Sequence, residues 1–231
     1  LQKIADLQSA DNKPQSVTTR PELGDINGKR VIFVGTGRYL GVNDLTDPAK
    51  LTPALPYARQ QTFYGIKDAD SNWGNFRSAT GAKARTFTQT ADTIRTVTAT
   101  GGDVNWSTDA GWYIDFNATD GERVNIDPIL VLGTLVITTN IPNQNACTVG
   151  GDSWTYFLDY TSGNYVSTSP NQEAGYKRVG FLTVGNVVVR LPSGSLKLIS
   201  TDITGGKSTR GVPIGASAGI GRRISWRELI K

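Results

Sequence analysis

The 231-residue chain contains no histidine, no methionine and a single cysteine, Cys147. The missing histidine excludes a Ser-His-Asp triad, a Cys-His dyad, His-ligated zinc and the commonest general base. A lone cysteine makes no internal disulfide and no Cys-rich metal site. Cys147 is either a free thiol or the partner of a cysteine outside this sequence. With no methionine and Leu1 at its start, the chain is expected to be a piece of a longer translated product, and an export signal would lie upstream of it. Long apolar runs are also absent. The longest, around Ile129–Ile137, has the length of a strand and falls far short of the ~18 residues that cross a membrane as a helix.

Glycine, threonine and valine are plentiful. The 26 glycines, together with many β-branched residues, favour strands and turns over helix bundles, and no helix longer than two turns is expected. Strands are expected at Lys29–Gly37, Gln61–Lys67, Ala84–Thr90, Thr93–Thr100, Gly111–Phe116, Ile129–Thr139, Ser153–Tyr160, Leu196–Ile203 and Arg223–Leu229. Arg178–Leu191 reads as two strands joined by a hairpin turn at Gly185-Asn186. Ala10–Asn27, Tyr39–Tyr57 and Thr204–Gly221 read as loops, the first two from their prolines and the third from its Gly, Ser and Thr content.

Charge is unevenly spread. Residues 177–231 carry ten basic and two acidic side chains, a net +8 against −4 for the remainder. Such a segment suits an acidic partner, anionic headgroups or nucleic acid. Nucleic acid is disfavoured, because only Tyr176, Phe181 and Trp226 accompany the basic residues and no nucleic-acid-binding motif is present. The plainer reading is a solvated face.

One pattern recurs. Val31–Thr36 is followed by Phe63-Tyr64-Gly65-Ile66-Lys67-Asp68, and Leu130–Thr139 by Trp154-Thr155-Tyr156-Phe157-Leu158-Asp159. Trp112-Tyr113-Ile114-Asp115-Phe116 repeats the second half. An apolar strand, a loop, and a strand running from an aromatic residue to an aspartate is how successive strands of a propeller blade read. A β-sandwich predicts similar strand lengths with less repetition of this ending. The expected fold is all-β, a β-propeller with quinoprotein-like blades. The whole of residues 1–231 is expected to be a partial propeller, the C-terminal set of blades of one such domain in a larger secreted protein.

No catalytic, cofactor-binding or metal-ligating set emerges. Asp115 and Asp159 end equivalent strands, which points to turn capping; acid–base work needs unlike partners in one cleft. Trp106, Trp112 and Trp154 would be the stacking residues of a quinoprotein-like dehydrogenase, the alternative enzyme reading, but read more simply as packing between blades. Gly35-Thr36-Gly37 lacks the Lys-Ser/Thr of a phosphate loop. Asp68-Ala69-Asp70-Ser71-Asn72 offers oxygens at alternate positions, then lacks the glycine and distal glutamate of a calcium loop. The long loops Tyr39–Arg59, Ser71–Lys83, Pro142–Asp152 and Ser167–Tyr176 are expected at blade ends, where they would form a recognition surface.

From VIFVGTGRYLG through QQTFYGIKD, GWYIDF and GERVNIDPILVLGTLVITTNIPNQNACTVGGDSWTYFLDYTSG to GRRISWREL, the chain resembles the C-terminal β-propeller of the PilC/PilY family of type IV pilus tip-associated biogenesis factors and adhesins. The resemblance covers about Lys29 to Lys231, and Ser225–Leu229 resembles the family's C-terminus. It implies a non-enzymatic role in pilus biogenesis, twitching motility and adhesion. It also implies minor pilins, the pilus tip complex and a surface or host-cell receptor as partners, with export to the pilus tip or outer-membrane surface of a Gram-negative bacterium. Some members carry a regulatory calcium loop, so calcium is an expectation for the full-length protein only.

Overall fold

The computed structural model describes residues 2–45, 59–116, 121–143 and 150–215. Cys147, Trp226 and the expected strand at 223–229 lie outside the described residues.

The described chain is all-β. Strands β1 (Glu22–Ile26), β2 (Lys29–Gly35) and β3 (Thr62–Lys67) form an antiparallel meander, followed by the hairpin β4 (Ala82–Ala91) and β5 (Ile94–Thr98). Strand β6 (Gly111–Asp115) then returns to pair with β3. Strands β7 (Ile129–Val131), β8 (Thr134–Pro142), β9 (Gly151–Asp159) and β10 (Glu173–Arg178) make a second four-stranded meander. The third unit has three strands, β11 (Thr183–Arg190), β12 (Leu196–Asp202) and β13 (Lys207–Val212). The hairpin β4–β5 bridges the first two units: the start of β4 runs parallel to β6, and β5 pairs with β10. Ten strands are thereby hydrogen-bonded in one series from β1 to β7. The ends of the series come back together, with Leu130 of β7 lying 3.1 Å from the Cβ position of Gly24 in β1.

Packing explains why the strands read as near-continuous apolar runs. In β8, Leu135 and Ile137 point to one core and Val136 to another; in β9, Trp154, Tyr156 and Leu158 oppose Phe157 in the same way. The second unit is therefore buried on both faces, so polar alternation is suppressed. Its first face meets Phe33, Phe63, Trp112 and Ile114 of the first unit, and its second meets Leu196, Leu198 and Val212 of the third. The outer face of the first unit, Val34, Tyr64 and Ile66, is covered by Phe76 and by Ile4 and Leu7 of the N-terminal segment. Sheets stacked face to face in this way are propeller blades.

Several expectations are corrected. The run Ile129–Thr139 is two strands, because Leu132 and Gly133 adopt positive φ (43° and 76°) and turn the chain back. Gly185-Asn186 is no hairpin turn; it lies inside β11 at a register shift, and the turn falls earlier, at Val179-Gly180. The stretch read as a loop at 10–27 contains β1, and the one at 204–221 contains β13. Strand β10 likewise begins inside the loop expected at Ser167–Tyr176.

Candidate interaction surfaces and the buried polar bridge

The expected loops take different places. Ser71–Lys83 is packed down: Trp73 Nε1 donates to the Lys67 carbonyl at 2.8 Å, and Phe76 is buried. It covers the outer face of the first blade while keeping Ser71, Asn72, Ser78 and Thr80 exposed. In the Tyr39–Arg59 loop, the buried Asp44 carboxylate accepts from the Leu40 and Gly41 amides at 2.8 and 3.0 Å and faces Arg38 at 3.0 Å. Arg123 donates to the Arg38 carbonyl at 2.9 Å and to that of Asp44, tying the loop to the linker before β7. Residues 46–58 and 144–149 lie outside the described residues.

The aspartates divide. Asp159 does cap its turn, its Oδ1 accepting from the amides of Thr161 and Ser162, each at 3.0 Å. Asp115 does not. It accepts a two-pronged contact from Arg77 at 2.8 and 2.6 Å and the Thr62 hydroxyl at 2.7 Å, while Arg77 lies over the Tyr113 ring at 4.6 Å. Burial alone would lower the basicity of Arg77, but the Asp115 carboxylate more than offsets it and holds the pKa above its ordinary value. Asp68 and Asp70 both turn to Arg30, at 3.1 and 2.7 Å, and the Asn72 side chain accepts from the Gly74 amide at 2.9 Å. Both carboxylates are taken up by the one guanidinium, and among the described residues no group of three or more His, Cys, Asp or Glu side chains that could hold a metal ion occurs.

The tryptophans form no open stacking cleft. Trp112 is fully buried, stacked on Phe63 at a centroid distance of 6.1 Å, and donates to the Tyr160 carbonyl at 3.3 Å. Trp106 donates across the same interface to the Thr161 carbonyl at 2.9 Å. Gly65 and Gly163 flank the Trp112 indole, and a Cβ at either would sit within 2.7 Å of it.

The sequence reading missed a buried ionic bridge. Arg95 of β5 donates to the Glu122 carboxylate at 2.7 Å and to the Tyr156 hydroxyl, and its guanidinium lies 3.9 Å over the Trp154 ring. The Tyr156 hydroxyl donates to Glu122 at 2.5 Å and that of Thr139 at 2.6 Å. Glu122 and Tyr156 are both fully buried. Burial, reinforced by the Glu122 charge, pushes the Tyr156 phenol well above its ordinary range. The bridge clamps β5 and the β6–β7 linker to the face of the second blade. Glu122 and Tyr156 are closed off from solvent and only the Arg95 side borders a small surface pocket, so the bridge holds the scaffold together. The available signal was register, because Arg95 alternates with the buried Val97 and so shares its core-facing side.

A groove of about 870 Å³ lies between the first strands of the three blades. Ile129 and Val131 of β7 and Val184 and Val187 of β11 line it, with Asp127 and Arg190 among its charged residues. Val184 and Val187 are 53% and 58% exposed. Some basic residues of the described C-terminal part are engaged locally: Lys177 pairs with Asp152 at 2.9 Å, and Arg210 stacks on Tyr176 at 3.9 Å.

The architecture defines a module of stacked propeller blades. No protein-family model matches the chain. The type IV pilus biogenesis factor PilY1 of Pseudomonas aeruginosa, in strains PAO1 and PAK, is 30% identical over 175 residues, which are 64% of this chain and 14% of the relative. The crystal structure of the P. aeruginosa PilY1 C-terminal domain superimposes with a TM-score of 0.67 at 22% identity, over 92% of this chain and 47% of that one. The chain is thus similar over part of its length to a pilus biogenesis factor, and it shares the β-propeller fold of that factor's C-terminal domain. It spans less than a sixth of the curated relatives' length and about half of the solved domain.

Proposed function

We propose that the chain is the C-terminal set of blades of a larger secreted, non-enzymatic pilus factor that supports type IV pilus biogenesis and adhesion at the pilus tip. The observation that carries this reading is the 30% identity to PilY1 over 175 residues. The first strands of the three blades, β1, β7 and β11, each pair with the next strand of their own blade and face an open groove, as the inner strands of a propeller face its central channel, which supports the reading of stacked blades. Minor pilins, the pilus tip complex and a surface or host-cell receptor are the proposed partners. The cell surface is the proposed location; among the described residues no helix is long and apolar enough to cross a membrane. A test is to shear pili from cells expressing the tagged full-length protein and probe the purified pili for it. Co-isolation with minor pilins is expected; its absence from the pilus fraction, or quinone-dependent dye reduction by the purified protein, would overturn the reading.

A further inference from the structure

The hairpin β4–β5 and the end of β6 border a pocket of about 360 Å³. Two arginines in its wall, Arg85 and Arg95, are only 3% and 5% exposed. Arg95 uses one terminal nitrogen, Nη1, on Glu122 and Tyr156; its Nε and Nη2 have no acceptor among the described residues. Contact with the Trp154 ring, 3.9 Å away, fixes the direction of these remaining donors. In Arg85, Nε donates to the Ser162 carbonyl at 2.6 Å and Nη1 to that of Ala84 at 2.9 Å, while Nη2 is buried without a partner. Burial lowers the basicity of Arg85, and the exposed Asp103 acts on it only through its field. A buried polar donor left in this state points to a ligand or water that completes it.

The one carboxylate in the pocket wall is already neutralised. Asp115 accepts from the Thr62 hydroxyl and from both terminal nitrogens of Arg77. Three guanidinium groups, Arg77, Arg85 and Arg95, therefore meet two carboxylates, Asp115 and Glu122, and the surplus is positive. Phe87 and Phe116, stacked at 6.0 Å, make part of the wall apolar, which strengthens any charge contact made there. Gln89 stands opposite Arg95 in the β4–β5 ladder, so the two side chains leave the same face, with the exposed Gln89 toward solvent. We propose that this pocket binds a carboxylate, whose two oxygens accept from Nε and Nη2 of Arg95, with the Gln89 amide donating from the solvent side and Arg85 adding uncompensated positive charge. A planar carboxylate matches this side of the guanidinium fork. It belongs either to a small organic acid or to an Asp or Glu side chain of a partner protein.

The test follows the Arg95 side-chain N–H signals of the isotope-labelled whole chain by NMR. Sodium acetate is titrated in one arm and a blocked Gly-Glu-Gly peptide in another, each against sodium chloride at equal ionic strength. Arg95 itself is left intact because it holds the scaffold; the variant is Gln89→Glu, an exposed position whose new carboxylate would lie beside Arg95 and occupy the site from within the chain. In the wild type the Arg95 signals should shift saturably, with a Kd of about 1–10 mM for a ligand held by two charge-assisted hydrogen bonds. Gln89→Glu should weaken this at least about tenfold. Tighter binding of the peptide than of acetate assigns the site to a partner's side chain, and the reverse assigns it to a small acid. A shift that chloride reproduces, a shift that never saturates, or an unchanged Kd in Gln89→Glu would each overturn the proposal.

Discussion

Replacing Arg95 by Met is the sharpest perturbation of the scaffold. Methionine keeps most of the apolar stem, so the cavity left behind is small and the effect falls on the charge. Arg95 is only 5% exposed, and it pairs with a carboxylate that is fully buried. Its loss strands that carboxylate with two hydroxyl donors, from Tyr156 and Thr139. Removing one partner of such a pair costs about 3–5 kcal/mol, and for a chain of this size each kcal/mol moves the Tm by about 2–4 °C. Arg95→Met should therefore lower stability in urea by at least about 3 kcal/mol and the Tm by roughly 6–20 °C. The double variant Arg95→Met/Glu122→Leu should be more stable than the sum of the single losses by about 2 kcal/mol, because it removes both charges together. A loss under about 1 kcal/mol in the single variant would refute the reasoning, since an exposed, solvated pair costs that little.

Three further outcomes follow from the same structure. The Tyr64 hydroxyl donates to Gln15 at 2.6 Å inside the first blade, and burial pushes its pKa up to about 12. A raised pKa means that the stability it lends is complete below pH 10 and is lost as pH climbs toward 12. Tyr64 should contribute about 2–3 kcal/mol to the alkaline decline in stability over that window, beside the contribution of the other buried tyrosines, and Tyr64→Phe should make the decline shallower by about that amount. Gly163→Ala sets a Cβ 2.6 Å from the Trp112 ring at a φ of +69° and should cost about 2–4 kcal/mol by thermal unfolding, whereas Gly28→Ala, at φ +77° in open space, should cost about 1 kcal/mol. Because Asp68 and Asp70 are committed to Arg30, millimolar calcium should leave the Tm of this chain unchanged; a concentration-dependent rise would show a site the turn does not display.

How much of the fold was legible depended on where each strand sits. Buried central strands such as β2, β3 and β9 announced themselves, because burial on both faces demands unbroken apolar residues. Edge and exposed strands did not. Strand β13, Lys-Ser-Thr-Arg-Gly-Val, has only Val212 buried, so its sequence is that of a loop. Strand β1 is short, lies close behind Pro21 and contains Gly24, which is required because the Phe33 ring lies 2.9 Å from its Cβ position. The β7–β8 turn was hidden because its first residue, Leu132, is not one that favours positive φ. Gly185-Asn186 failed in the opposite direction, since a dipeptide suited to a turn is held extended by pairing with Thr201 and Ser200 of β12, just after a bulge at Val184. The recurring terminal aspartate was read as one device and proved to be two, a turn cap at Asp159 and an ion-pair anchor at Asp115. Arg95 and Glu122 lie 27 positions apart, and only the stacking of blades brings them together.

The central claim, that these blades belong to a pilus biogenesis factor, is tested most directly by counting surface pili. Cells lacking the full-length protein would be complemented with the wild type or with a version in which residues 1–231 are removed, at matched expression. The proposed function predicts that wild type restores surface pili and that the truncated protein does not. Equal piliation in the two strains would contradict it.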